Sequence, residues 1–249
     1  MSILLISDLH LKPEQPEVAA AFFRFIREQA PLADALYILG DLFEVWVGDD
    51  DDAIFSRQVI TALKTLTDSG TPLYYMHGNR DFLVGEQFAK ETGATVFYDD
   101  FVERTLFGQN VVLMHGDSLC TDDKEYMDFR EMVRNPEWQK PLMGLPLDDR
   151  REFAKGLRET STEKNQEKSM EIQDVVSAEV DAIFKNTGCR LLIHGHTHRP
   201  EIHNISVNDS DEKYYRIVLG DWGAKGWYLM LYDAGFELVE FEIESVENG

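Results

Sequence analysis

Cysteine is nearly absent from this 249-residue chain: there are two, Cys120 and Cys189. So few cannot build a disulfide framework. Basic residues are scarce too. Lys and Arg number 24 against 46 Asp and Glu, a formal net charge of −22. Duplex nucleic acid is bound by cations that neutralise phosphates, so no nucleic-acid partner is expected. No stretch approaches the roughly 20 apolar residues that span a bilayer. The start, MSILLISDLH, has no basic lead, and Asp8 interrupts its apolar run, so it is not read as a signal peptide. These absences predict a cytoplasmic protein and leave attachment to a membrane surface open. Core-forming residues are not lacking: 43% of the chain is hydrophobic and 11% aromatic, which argues against disorder. The length suits one large domain, or one domain carrying an insertion.

Hydrophobic patterning predicts buried strands over residues 2–7, 35–39 and 72–76, alternating with helices over 16–29, 54–69 and about 82–92. That alternation is the mark of a layered α/β domain. Several short strands are predicted within 94–114, the last over 111–114. Strands return at 190–193, 215–219, 227–231 and 236–241, and nothing between 122 and 185 reads as a strand. The expected organisation is a core of 1–121 and 186–249, with 122–185 a helical insertion, or cap, within the same single domain. Residues 124–168 hold ten basic and ten acidic residues, which leaves 14 against 36 for the rest. The acidic surplus therefore belongs wholly to the remainder, where it fits either solubility or the holding of divalent cations. The basic residues of the insertion are either solvated helix faces paired at i,i+4 spacing or an approach to an anionic ligand.

Five clusters stand at the ends of predicted strands: Asp8-Leu9-His10, Gly40-Asp41, Gly78-Asn79-Arg80-Asp81, His115-Gly116-Asp117 and His194-Gly195-His196-Thr197-His198. Ligands of open α/β sheets collect beyond the carboxyl ends of strands. Any one cluster could be a turn or a structural histidine, but packing does not explain five together. Carboxylate, amide and imidazole donors without thiolate favour Mn²⁺, Fe²⁺, Zn²⁺ or Mg²⁺. Seven such side chains are too many for one ion and suit two, held about 3.5–4 Å apart by a bridging carboxylate.

In this order the clusters resemble the calcineurin-like metallophosphoesterases, whose pattern runs D-x-H, G-D, G-N-H/R-D, H and G-H-x-H. The resemblance covers most of the chain. It implies a two-sheet β-sandwich flanked by helices, with Asp8, His10, Asp41 and His198 on one ion. Asp41 would bridge to a second ion on Asn79, His115 and His196. Finer text narrows the likeness: Gly40-Asp41-Leu42-Phe43-Glu44-Val45-Trp46-Val47-Gly48-Asp49-Asp50, Gly-Asn-Arg-Asp-Phe-Leu from Gly78, His-Gly-Asp-Ser-Leu-Cys-Thr-Asp-Asp from His115, and Val218-Leu-Gly-Asp-Trp222. Together these are similar to the UDP-2,3-diacylglucosamine hydrolases of Gram-negative bacteria. That family splits the pyrophosphate of a lipid-linked UDP-sugar into lipid X and UMP on the way to lipid A.

From this resemblance come the remaining expectations. Two divalent ions are the cofactors, with Mn²⁺ put first. Asn79, Arg80 and His196 serve catalysis, and metal-activated water attacks the α-phosphorus. Substrate contacts fall on Asn79, Arg80, His196, Asp123, Ser161, Asn165 and Lys168, the last three sharing one helix face. Arg80 can fork onto phosphate oxygens, or it can pair structurally with Asp81. Asp117 is expected to orient His115 or a neighbouring ligand. Apolar residues of the cap, among them Phe129, Leu142, Phe153 and Leu157, either pack its helices together or line a groove for acyl chains. A peripheral place on the inner face of the inner membrane is implied, and no obligate protein partner is expected. Rival expectations are a metallophosphoesterase acting on a nucleotide or phosphodiester, and a non-catalytic scaffold of the same fold.

Overall fold

The computed structural model describes residues 1–167, 172, 174–205 and 213–245, with side chains from 159 to 167 left out of the description. The first sheet joins β1 (Ser2–Ile6), β2 (Ala35–Ile38), β3 (Leu73–Met76), β4 (Thr95–Phe97), β10 (Lys225–Tyr232) and β11 (Gly235–Glu242) in the order β11-β10-β1-β2-β3-β4. Its β1–β4 half is parallel, and β10 and β11 add antiparallel. The second sheet joins β5 (Phe101–Leu106), β6 (Gln109–Met114), β7 (Leu191–His194), β8 (Glu201–Ile205) and β9 (Tyr214–Val218) in the order β5-β6-β7-β9-β8.

Side chains alternate across a strand, and that alternation divides the core in two. Ile3 and Leu5 join Tyr37, Met76, Val111, Leu113, Leu191, Ile193 and Ile217 in one cluster that spans both sheets. Leu4 and Ile6 point the other way, with Leu36, Ile38 and Tyr75, against α1 (Pro16–Glu28), α2 (Ile54–Asp68) and α3 (Glu86–Thr92). The central strands read as unbroken apolar runs because both of their faces are covered. Each fully buried Leu, Ile or Phe contributes about 1.5–3 kcal/mol.

Between β6 and β7 run α4 (Lys124–Arg134), α5 (Pro136–Met143), α6 (Leu147–Glu167) and α7 (Ser177–Thr187). Asp123 caps α4 by accepting from Tyr126 N, and Asn135 caps α5 ahead of Pro136 at its first position. Val180 and Phe184 on α7 are buried in the cluster that spans the sheets. The start of α6 is fastened to the loop after β2. Arg150 donates to Val47 O at 2.8 Å and pairs with Asp50, and Arg151 reaches Asp51 and Asp52.

Two differences from the sequence expectations stand out. The helix expected from about 82 begins at Glu86, because the Asp49 carboxylate accepts from Gly85 N and Phe88 N and sets its first turn there. Strand β8 had not been expected: among the described residues it is an edge strand paired only with β9, and two of its five residues are apolar. Among the described residues no helix is long and apolar enough to cross a membrane.

Candidate dinuclear metal centre

β1, β2 and β3 in one sheet and β6 and β7 in the other deliver their carboxyl ends to a common rim. The loops beyond the strands stay paired: Asp8 N donates to Gly40 O, His10 N to Asp41 O and Leu11 N to Leu42 O. The second sheet joins them where Gly195 N donates to His115 O and His196 N to Asp8 Oδ2. Glycine permits this crowding. A Cβ on Gly78 would overlap the Asp41 carboxylate, and one on Gly40 (φ +90°) would sit 2.5 Å from Gly78 N and 2.7 Å from His115 Nδ1.

Among the described residues six non-glycine residues have a positive φ, and five of them are Asp8, His10, Asp41, His196 and His198. Left-handed backbone at such residues costs about 1–3 kcal/mol each and concentrates where function demands it. The turns aim all five side chains into the rim.

The seven expected ligands converge. His10 Nε2 lies 3.2 Å from His198 Nε2 and 3.9 Å from Asp41 Oδ2, and Asp8 Oδ1 lies 3.4 Å from His198 Nε2. On the other side His115 Nε2 is 3.8 Å from Asp41 Oδ2, while Asn79 Oδ1 lies 3.0 Å from His115 Nε2 and 2.9 Å from His196 Nδ1. Donor atoms of Asp8, His10 and His198, and of Asp8, Asp41 and His115, all fall within 4.8 Å of one another. Asp41 Oδ2 thus sits between two histidine groups, and its Oδ1 is spent on Arg80 N at 2.8 Å.

These residues fit a pair of divalent cations on their own geometry. Asp8 Oδ2 is satisfied by Ser7 Oγ and His196 N, yet its Oδ1 is buried with no hydrogen-bond partner. A buried carboxylate oxygen left without a donor is costly, and a cation beside it removes the cost. The donor set of carboxylates, imidazoles and one amide suits a hard or borderline metal. Burial opposes ionisation of Asp8, but His198, His115 and His10 outweigh it and hold its carboxyl far below the usual range. Burial, then the His115 charge, push His196 down to about 3, which leaves a neutral ring available as a ligand.

Each ring needs a partner on its remaining nitrogen. His115 Nδ1 has Leu39 O at 2.8 Å. Asp117, expected to orient His115 or a neighbouring ligand, hydrogen-bonds none of the seven. Asp117 Oδ2 instead accepts from Tyr126 Oη and Arg130 Nε, both at 2.8 Å, and ties α4 to the rim. His198 Nδ1 lies 3.8 Å from Asp221 Oδ2, and His10 Nδ1 lies 3.3 Å from Glu44 Oε2.

Arg80 does not pair with Asp81. The Asp81 carboxylate is fully buried and accepts from Gly78 N, Asp41 N, Leu42 N and the Tyr75 hydroxyl, which locks the two loops together. Arg80 Nε has no hydrogen-bond partner, and the residue lines a cavity of about 190 Å³. Asn79 lines it beside Arg80; most of the remaining lining is apolar, including Trp46, Phe82, Phe129, Leu142, Phe153 and Leu157, with Glu44 and Arg158 among its charged members. Asp123 is buried and serves as the cap of α4. Ser161 and Asn165 fall on α6, but their side chains, and Lys168 altogether, lie outside the described residues.

Sequence reasoning passed over Glu44, Tyr126, Arg158 and Asp221 as site residues. Glu44 and Asp221 stood inside the quoted motifs, so their place was visible though their partners were not. Tyr126 and Arg158 looked like any polar residues of exposed helices.

A family model described as calcineurin-like phosphoesterase matches residues 1–200. A UDP-2,3-diacylglucosamine hydrolase from Chromohalobacter salexigens is 52% identical over 94% of this chain and 94% of its own. Proteins of the same name from Pseudomonas fluorescens and Salmonella typhi are 48% and 46% identical, over 96% and 98% of this chain and 95% and 100% of theirs. Among solved structures, a hypothetical protein from Pyrococcus horikoshii OT3 shares the fold, with a TM-score of 0.50 at 11% identity over 99% of this chain and 89% of its own.

Proposed function

This chain belongs to the calcineurin-like phosphoesterase family, and we propose that it cleaves the pyrophosphate of UDP-2,3-diacylglucosamine. The products are 2,3-diacylglucosamine 1-phosphate (lipid X) and UMP, within lipid A synthesis. The observation that carries the proposal is the juxtaposition of two environments. A rim of seven converging candidate ligands meets a largely apolar cavity at Asn79 and Arg80. A phosphate-cleaving site alone needs no such cavity, whereas a substrate with acyl chains beside its pyrophosphate does.

Bound divalent ions, Mn²⁺ in this proposal, supply Lewis acidity towards the phosphoryl oxygens and lower the pKa of water. The chain's own residues do the rest. Asp8, His10, Asp41 and His198 would hold one ion, and Asn79, His115 and His196 the other. Arg80, which lines the cavity beside Asn79, grips the pyrophosphate oxygens with its two-pronged guanidinium. Asn79 and His196 face the charge that develops on the phosphoryl oxygens during attack at the α-phosphorus. Helices α4–α6 of the 122–185 insertion supply the apolar wall that takes the acyl chains. Asp123, Ser161, Asn165 and Lys168 are assigned to the sugar and phosphate side. Met132, Met143, Leu145 and Phe153 in the insertion are exposed, and peripheral attachment at the inner leaflet of the inner membrane is part of this proposal.

The test compares kcat/KM for the diacylated substrate with that for its deacylated counterpart, before and after chelation and Mn²⁺ return. Turnover in ¹⁸O water followed by mass spectrometry is expected to label UMP. Equal kcat/KM for the two substrates would reject the lipid and favour a general nucleotide phosphoesterase. Full activity after rigorous chelation would reject the ion pair.

A further inference from the structure

Glu44 touches both the rim and the cap. Its position follows from the backbone: Leu11 and Phe43 form a parallel bridge, and Glu44 N donates to Leu11 O, which sets Glu44 beside His10. The two carboxylate oxygens then part company. Oε2 lies 3.3 Å from His10 Nδ1, and Oε1 forms an ion pair with Arg158 Nη2 on α6. Arg158 follows Leu157 on the cavity wall. Only 14% of the Glu44 side chain is exposed, so water competes weakly for either contact.

The chemistry of the imidazole makes this arrangement directional. His10 Nε2 faces His198 and Asp41, so a cation held there leaves the ring proton on Nδ1. Nδ1 is buried and has no hydrogen-bond partner. Glu44 Oε2 is within hydrogen-bond distance but off the line of the bond, and a small turn of the carboxylate aligns it. A cation on Nε2 strengthens Nδ1–H as a donor and favours that turn. Glu44 then presents Oε1 to Arg158 from a fixed position.

We propose that Glu44 is a positioning residue that couples cation occupancy at Asp8, His10 and His198 to the seating of α6 over the apolar cavity. This rests on the assignment of that trio to a divalent cation. Linkage makes the coupling reciprocal: whatever fastens Arg158 onto Glu44 tightens the cation, and the cation fastens the cap. The cavity would then be complete only when the ion beside it is in place, which matches lipid capture to a charged centre. The other α6 fastenings, Arg151 to Asp51 and Asp52, reach the same loop without touching a rim histidine, and they supply the control.

The experiment uses the full chain stripped of metal, with Mn²⁺ as the probe. Binding is measured by calorimetry, and amide exchange over residues 147–158 is followed with and without Mn²⁺. Wild-type protein is expected to bind Mn²⁺ and to exchange more slowly over 147–158 once loaded. Glu44→Ala should bind at least about tenfold more weakly, as losses of partners to ligating histidines do, and should lose the Mn²⁺-dependent slowing. Glu44→Gln, nearly the same shape, should keep more of the affinity than Glu44→Ala while losing the pairing with Arg158. Arg158→Ala should weaken Mn²⁺ by about fivefold or more, although it holds no ion, whereas Arg151→Ala, whose acidic partners touch no rim histidine, should weaken it by clearly less than Arg158→Ala does. Wild-type affinity in Arg158→Ala, or preserved Mn²⁺-dependent slowing in Glu44→Ala, overturns the coupling alone. A wild-type chain that binds no Mn²⁺ overturns the metal assignment and the coupling with it.

Discussion

Asp81 is the keystone of the loops that carry Asp41 and Asn79, and Asp81→Asn measures how much it holds. In the native protein Oδ1 accepts from Gly78 N at 2.8 Å and Asp41 N at 3.2 Å, and Oδ2 accepts from Leu42 N at 2.8 Å and from the Tyr75 hydroxyl. Asn offers one oxygen. Its best orientation keeps that oxygen towards Gly78 and Asp41 and turns the amino group to Leu42 N and Tyr75. The Tyr75 hydroxyl can rotate to accept, but the Leu42 N–H cannot, so one buried donor is stranded at about 1–3 kcal/mol. The three surviving bonds also lose their charge-assisted strength. Against this, burial and the nearby Asp41 charge raise the Asp81 pKa, so removing the charge returns part of the loss. The net expected destabilisation is about 2–3 kcal/mol, or roughly 4–12 °C in Tm for a domain of this size. Thermal unfolding of metal-stripped protein, followed by far-UV circular dichroism, reads it directly. Arg80→Met is the companion measurement. With no pair between Arg80 and Asp81, its stability should stay within about 0.5 kcal/mol of wild type. An Asp81→Asn variant that melts within a degree of wild type, or an Arg80→Met variant that loses as much, would refute this account of the loop.

Two further outcomes are expected. Ala154 lines the cavity, so Ala154→Phe should fill part of it and cut the preference for diacylated over deacylated substrate by about tenfold, the equivalent of some 1.4 kcal/mol of lost apolar burial; an unchanged preference would place the chains elsewhere. Asp117 supplies a pH signature: burial opposes its charge, but His115, Arg130 and Arg134 outweigh it and hold the carboxyl well below the usual range. A depressed folded-state pKa contributes stability that is complete above the unfolded value near about 4, declines as pH falls below it and is gone only once pH has fallen through the folded value. Urea midpoints of metal-stripped wild type and Asp117→Asn should therefore differ most at pH 6 and converge towards pH 3, and a gap that stays constant across that range contradicts the assignment.

Much of the site was legible because short strands that end in polar clusters leave few options for where those clusters go. Asp8, His10, Asp41, Asn79, His115, His196 and His198 could be named in advance as one set. The local sequence also fixes the tight turns, since Gly40 and Gly78 admit approaches that a Cβ would block. The buried strands β1, β2 and β3 were readable from unbroken apolar runs, and α1 and α2 from their helical period. Edge strand β8 was not, because an edge buries too little to impose an apolar pattern.

What the chain order cannot express is which group satisfies which across the rim. His115 takes its outer partner from the carbonyl of Leu39 rather than from Asp117 two residues away, because β2 runs alongside while the Asp117 side chain turns to α4. Arg80 passes over its neighbour Asp81, whose carboxylate is already filled by backbone donors of two loops. Glu44 meets Arg158 only once the cap lies over the core. Residue type and local spacing determined which chemistry this protein could hold. Packing of two sheets and a helical cap decided the partners, because hydrogen bonds and ion pairs act over a few ångströms of space and take no account of distance along the chain.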